Sequence, residues 1–236
     1  MNWVNSNFYY LLLMLLSISY PFIRSFEHRL AFYKNWKALF TAIGCMMIVF
    51  ISWDVIFTYL GIWSFNDRYI LGIKFLYLPL EEWLFFICVP YACVFIDEVL
   101  AYFFPLEKNR PFVKVWNLIL AFSLLILALI FWNRMYTGVC LILTSSFLFL
   151  VQRKNSLFLT RMYRTYFVSL IPFLVVNGIL TGAVTQEPIV LYNDVQNTGL
   201  RVISIPIEDF AYCLFMLSLT LWVYNYLKKS NSKPIE

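Results

Sequence analysis

The sequence predicts an all-α, polytopic membrane protein of about seven transmembrane helices, with helices 1–3 and 5–7 forming a parallel internal repeat joined by helix 4. Three observations carry this. The 236 residues are 62% hydrophobic and only 13% charged, whereas soluble domains are about half apolar. Seven apolar runs approach the length of about 20 residues needed to cross a bilayer, at roughly 8–23, 37–57, 79–99, 115–132, 135–151, 165–182 and 205–227. Residues 65–82, FNDRYILGIKFLYLPLEE, align without a gap on residues 192–209, YNDVQNTGLRVISIPIED.

The first run has no basic segment before it and no small-x-small cleavage site before Pro21 and Arg24. It reads as a retained helix rather than a signal peptide. The second run ends near Asp54, and the third opens on YLPLEEWLFF. From Trp83 to Ile96 that third run offers 14 apolar residues, about 21 Å at 1.5 Å per residue. A hydrocarbon core of roughly 30 Å therefore draws Glu81 and Glu82 into the outer leaflet or its edge. Pro79 before them suits a helix start, where its missing N–H costs nothing, and carboxyl groups there meet the favourable end of the helix dipole. Run four has no counterpart and serves as the connector. Runs five to seven repeat the first three, and the seventh opens on PIEDFAYC. The domain reading is a first repeat over 1–110, a connecting helix over 111–134 and a second repeat over 135–236.

Charge follows topology. The 24–37, 100–114 and 152–164 loops and the tail after 227 hold 14 of the 18 Lys and Arg, and the other side holds 4. By the positive-inside rule the amino terminus is outside and the carboxyl terminus cytoplasmic. This explains a basic pI near 8.9 without nucleic acid. The five cysteines lie inside apolar runs without Cys-x-x-Cys spacing, and His28 is the single histidine, so no metal site of nitrogen and sulfur ligands is expected.

Across the repeat, Asn66/Asn193, Asp67/Asp194, Gly72/Gly199, Pro79/Pro206 and Glu81/Glu208 are identical, while Lys74/Arg201 and Glu82/Asp209 keep their charge. FISWDVIFT at 50–58 similarly resembles FLVVNGILT at 173–181, matching Asp54 with Asn177. Polar, Gly and Pro positions are not what chance similarity of two apolar helices selects. Both copies run in one direction through the membrane, related by an axis along its normal. Asp97 and Glu98 have no counterpart and read as the cytoplasmic boundary of helix 3.

A charged carboxylate at membrane depth costs several kcal/mol, roughly 2.5–3.5 on insertion scales, and marks a functional site by default. The structural alternative is that the acids cap helices at the interface and pair with Lys74 and Arg201; repetition of a doubled acid after Pro, beside aromatics, favours function. A carboxyl in low dielectric holds its proton, the more so beside another acid. Such a group can protonate an alkene while aromatic walls, including Trp83 and Phe210, stabilise the cation. A prenyltransferase would want clustered aspartates, and FND and YND offer one per copy. The rival class is a proton-coupled transporter or channel, since helices, repeats and intramembrane acids describe those too.

PLEEWLFF and PIEDFAYC, each following an aromatic-Asn-Asp and Gly stretch, resemble the integral-membrane carotenoid cyclases, the bacterial and fungal lycopene cyclases made of two three-helix subunits or their fusion. The chain is similar to the fused form over both repeats. The resemblance implies cyclisation of the linear ends of lycopene to β-rings, giving γ-carotene and then β-carotene without net redox change. It also implies no cofactor, and no G-x-G-x-x-G flavin or nucleotide fingerprint is present among the seven glycines. The expected partners are lipid-soluble lycopene and the bilayer, with association with other carotenoid enzymes open. Carried onto this sequence, Glu81 and Glu208 are the first candidates for proton donor or cation stabiliser, Glu82 and Asp209 their partners, and Asp54 and Asn177 a second tier.

Overall fold

The computed structural model describes residues 7–106 and 110–231. The first six residues, Lys108 of the predicted basic loop and Lys233 of the tail lie outside the described residues. The chain forms seven α-helices among them: α1 Tyr9–Arg24, α2 Trp36–Tyr59, α3 Leu80–Phe103, α4 Phe112–Ile130, α5 Met135–Val151, α6 Ser156–Leu180 and α7 Glu208–Asn231. Five are long and apolar enough to cross a membrane; α1 and α5, of 16 and 17 residues, are shorter. Bulky apolar side chains such as Ile48, Trp132, Phe167 and Ile171 face outward, as a bundle solvated by lipid requires.

Helix α7 packs against α2, α5 and α3, and α3 also packs on α1 and α6, so the two acid-bearing helices are central. Six short strands, too brief for a periodic signal, connect them. Strand β1 (Trp63–Phe65) pairs antiparallel with β4 (Val190–Tyr192). The register is two-fold symmetric: Trp63 pairs with Tyr192, Phe65 with Val190, and the repeat-equivalent Ser64 and Leu191 with each other. Each copy then forms a hairpin, β2–β3 (Lys74–Phe75, Leu78–Pro79) and β5–β6 (Arg201–Val202, Ile205–Pro206), with matching registers. Gly72 and Gly199 precede these hairpins at φ +80° and +74°, the left-handed region that favours glycine. This explains their identity across the repeat.

Two boundaries differ from the sequence reading. Helix α6 starts at Ser156 rather than 165, capped by the Asn155 side chain accepting from the Phe158 N–H at 2.9 Å. Helix α3 runs on to Phe103, past Asp97 and Glu98. The cause is a buried ion network. Arg161, on α6, donates to both Asp97 oxygens at 2.5–2.9 Å and to Glu98 at 3.1 Å. Lys228 of α7 holds Glu98 at 2.6 Å, and Thr165 donates to Asp97 at 2.8 Å. Removing one partner of a buried pair leaves an uncompensated charge, which costs about 3–5 kcal/mol. Arg161→Ala is accordingly expected to lower the melting temperature in detergent clearly, and an unchanged melt would refute the network's structural role.

Candidate active site

The hairpin of each repeat fixes the start of its acid-bearing helix. Pro79 lies extended as N-cap of α3, which places Glu81 and Glu82 in the first turn. Leu80 N–H donates to Ile73 O at 2.9 Å, and Ile207 N–H to Leu200 O at 3.1 Å. Successive helical residues point about 100° apart, so the two acids of each pair meet different surroundings.

The first acid of each pair turns to the loop behind it. Glu81 Oε1 accepts the Leu71 N–H at 2.7 Å, and Glu208 Oε1 accepts the equivalent Thr198 N–H at 2.8 Å. Glu208 also accepts from the Thr137 hydroxyl at 2.6 Å. Both carboxyls are buried, and the second oxygen of each has no hydrogen-bond partner. Glu208 borders an apolar groove of about 450 Å³ between α4, α5, α6 and α7.

The second acid of each pair turns to the pseudo-two-fold axis. Glu82 Oε2 accepts from the Tyr10 hydroxyl at 2.6 Å. Asp209 accepts from the Tyr136 hydroxyl, from Asn177 Nδ2 at 2.7 Å and from the Tyr192 hydroxyl at 3.0 Å. Glu82, Asp209 and Asp54 line one cavity of about 60 Å³. Asp54 accepts from Trp63 Nε1 at 2.5 Å. The remaining wall is largely aromatic and repeat-matched, Phe65 with Tyr192 and Phe85 with Tyr212. Burial, and then the charge of Asp209, push the Tyr192 hydroxyl well above its ordinary pKa, so it stays a donor.

The other predicted residues lie around this centre. Asn177 lines the cavity with Asp54. Trp83 packs on Phe75 of the hairpin, with ring centroids 5.3 Å apart. Phe210 borders the α4–α7 groove and packs edge-on against Phe173. Lys74 and Arg201 reach Asp67 and Asp194 at 2.8 and 2.6 Å, bracing the loops rather than pairing with the four acids. Burial works against the Asp194 charge, but hydrogen bonds from Asn197 and Arg201 and the Arg201 charge hold its carboxyl below the usual range. Pro79 and Pro206 end the paired strands β3 and β6. Among the described residues no group of three His, Cys, Asp or Glu is arranged to hold a metal.

Sequence reasoning missed Tyr10, Tyr136, Trp63 and Tyr212. The tyrosines carried a signal: Tyr10 and Tyr136 open α1 and α5, the equivalent helices, and their N–H groups bond Tyr69 O and Gln196 O at matching loop positions.

A family model described as lycopene cyclase matches residues 7–100 and 133–227. Those blocks hold both acid pairs and both tyrosines, and the stretch between them contains α4. No curated protein and no solved structure matches the chain. With both copies of the repeat and both acid pairs inside the matched blocks, the chain belongs to the lycopene cyclase family, enzymes that cyclise carotenoids in a lipid environment.

Proposed function

We propose that this chain converts the linear ψ-ends of lycopene to β-rings, through γ-carotene to β-carotene, by protonating an alkene and closing the ring through a carbocation. The observation that carries the reading is the meeting of Glu82, Asp209 and Asp54 in one aromatic-walled cavity on the pseudo-two-fold axis. In this mechanism Glu82, sharing the cavity with a second acid, Asp54, delivers a proton to the terminal double bond. The neighbouring alkene attacks the cation and forms the ring bond. Asp209, held by three donors, faces the positive charge and takes the proton whose loss sets the new double bond. One proton enters and one leaves, so the reaction is an isomerisation. Aromatic faces contribute about 0.5–2 kcal/mol each toward a cation. Glu81 and Glu208 complete the site by fixing the loops at Leu71 and Thr198.

The same proposal treats residues 1–110 and 135–236 as two fused three-helix units with 111–134 between them, and sets the amino terminus outside and the carboxyl terminus in the cytoplasm. Expression of the chain alone in a lycopene-accumulating bacterium is expected to replace lycopene with monocyclic and then bicyclic pigment, read by chromatography. Unchanged lycopene, with the protein present in the membrane, would overturn the activity.

A further inference from the structure

The reacting cavity is nearly two-fold symmetric, but its surroundings are not. At about 60 Å³ it lies far below the roughly 300–1,000 Å³ of pockets that enclose a drug-sized ligand. It can hold only the end of a carotenoid, and the rest of the polyene must leave through an apolar opening. The repeat supplies two equivalent places for one: between α3 and α6, and between α7 and α2.

Between α3 and α6 there is an apolar slot of about 90 Å³. It shares Phe85, Val89, Phe173, Asn177 and Cys213 with the cavity and continues outward past Ala92, Ile96, Pro172 and Val176. Pro172 is exposed, and Val89, Ala92, Phe173 and Val176 are half-buried, so the slot reaches the lipid-facing surface. Their counterparts between α7 and α2 are closed. Phe50, the equivalent of Phe173, is fully buried, with its ring 4.9 Å from Tyr212 and 5.0 Å from Phe215. Trp53, the equivalent of Val176, is also buried, 4.9 Å from Tyr212, and Met216 stands where the first copy has Val89. Aromatic packing fills on one side the space that valine leaves open on the other.

We infer that the carotenoid reaches the cavity through the α3/α6 slot alone, with its uncyclised polyene lying between Ala92 and Val176. This rests on the cyclase reading of the cavity. The occupant is the substrate chain rather than a resident lipid, because the slot runs directly into the wall of the acid-lined cavity.

The test introduces into the open slot the residue that closes the other one. In liposomes carrying the full chain, Val176→Trp is expected to slow lycopene conversion at least about tenfold, as expected of a substrate held out of position. Val175→Trp, one residue along and facing lipid, is expected to leave it unchanged. A short acyclic polyene with the lycopene end group, which must enter by the same slot, should be slowed by Val176→Trp as well and left unchanged by Val175→Trp. A second variant, Ala92→Cys with the exposed Cys45 changed to Ser, gives a readout independent of activity. Alkylation at position 92 by a lipid-soluble maleimide, located by mass spectrometry, should be slowed by lycopene and not by phospholipid alone. Wild-type conversion of lycopene by Val176→Trp, or labelling indifferent to lycopene, would overturn the inference. Wild-type protein that cyclises neither polyene would instead overturn the activity, and this inference with it.

Discussion

Glu82→Gln and Asp209→Asn are each expected to lower ring formation by about 10²–10⁴-fold, the usual contribution of a positioned acid or base, with the protein still in the membrane. Each replacement keeps the shape and an acceptor oxygen while removing the ability to gain and lose a proton. The Tyr10 hydroxyl at 2.6 Å from Glu82, and Asn177 and Tyr192 around Asp209, can therefore keep their geometry, which separates chemistry from folding. The double variant should be little worse than the worse single one, because groups acting in one step are not additive. The check is the initial rate of lycopene loss in membranes, beside gel filtration of the solubilised protein. Wild-type rates in both single variants would remove the axial cavity as the reaction site. Loss in only one would show that the repeat divides the work.

The second large effect concerns Glu81 and Glu208, and the informative comparison is Gln against Ala. Each residue anchors a loop N–H through one oxygen, at 2.7 Å from Leu71 and 2.8 Å from Thr198. Glutamine retains that acceptor, whereas alanine leaves the N–H inside the bundle without a partner. Leaving a buried donor unsatisfied costs about 1–3 kcal/mol, roughly 5- to 150-fold if it is all felt at the site. The alanine variants are expected to lose activity on that scale and the glutamine variants much less. Glutamine variants as inactive as alanine ones, with the fold intact, would mean that the carboxyls themselves exchange the proton. Glu208, on the wall of the 450 Å³ groove, would then become the acid to follow.

Much of this protein was legible in its sequence because the relevant physics is local. A bilayer demands apolar helices whatever the packing, so hydropathy located all seven. The repeat around Gly72/Gly199 and Pro79/Pro206 preserved a local device, a left-handed turn and a hairpin that start a helix on two acids, and a gapless alignment suffices to find it. Asp54 and Asn177 were found the same way, at equivalent points of α2 and α6. Helix ends were less legible where a distant partner sets them: Arg161 looked like a loop charge, and only the buried Asp97 and Glu98 on α3 explain why α6 begins a turn or more earlier.

What the tertiary structure alone decided is orientation. Adjacent acids differ by about 100° of helix rotation, and the absolute rotation of α3 and α7 is set by their packing. Sequence could name Glu81, Glu82, Glu208 and Asp209 but not which of them look at each other across the axis. Tyr10 and Glu82 are 72 positions apart, and Tyr136 and Asp209 are 73 apart, beyond any local pattern. The pairing of β1 with β4 brings the two copies face to face through three residues on each side. The unequal slots also arise from packing: Phe50 and Phe173 are the same residue at the same repeat position, and one is sealed under Tyr212 and Phe215 while the other borders the cavity. A sequence repeat fixes which side chains recur, whereas close packing of unequal neighbours decides which of two equivalent spaces stays open.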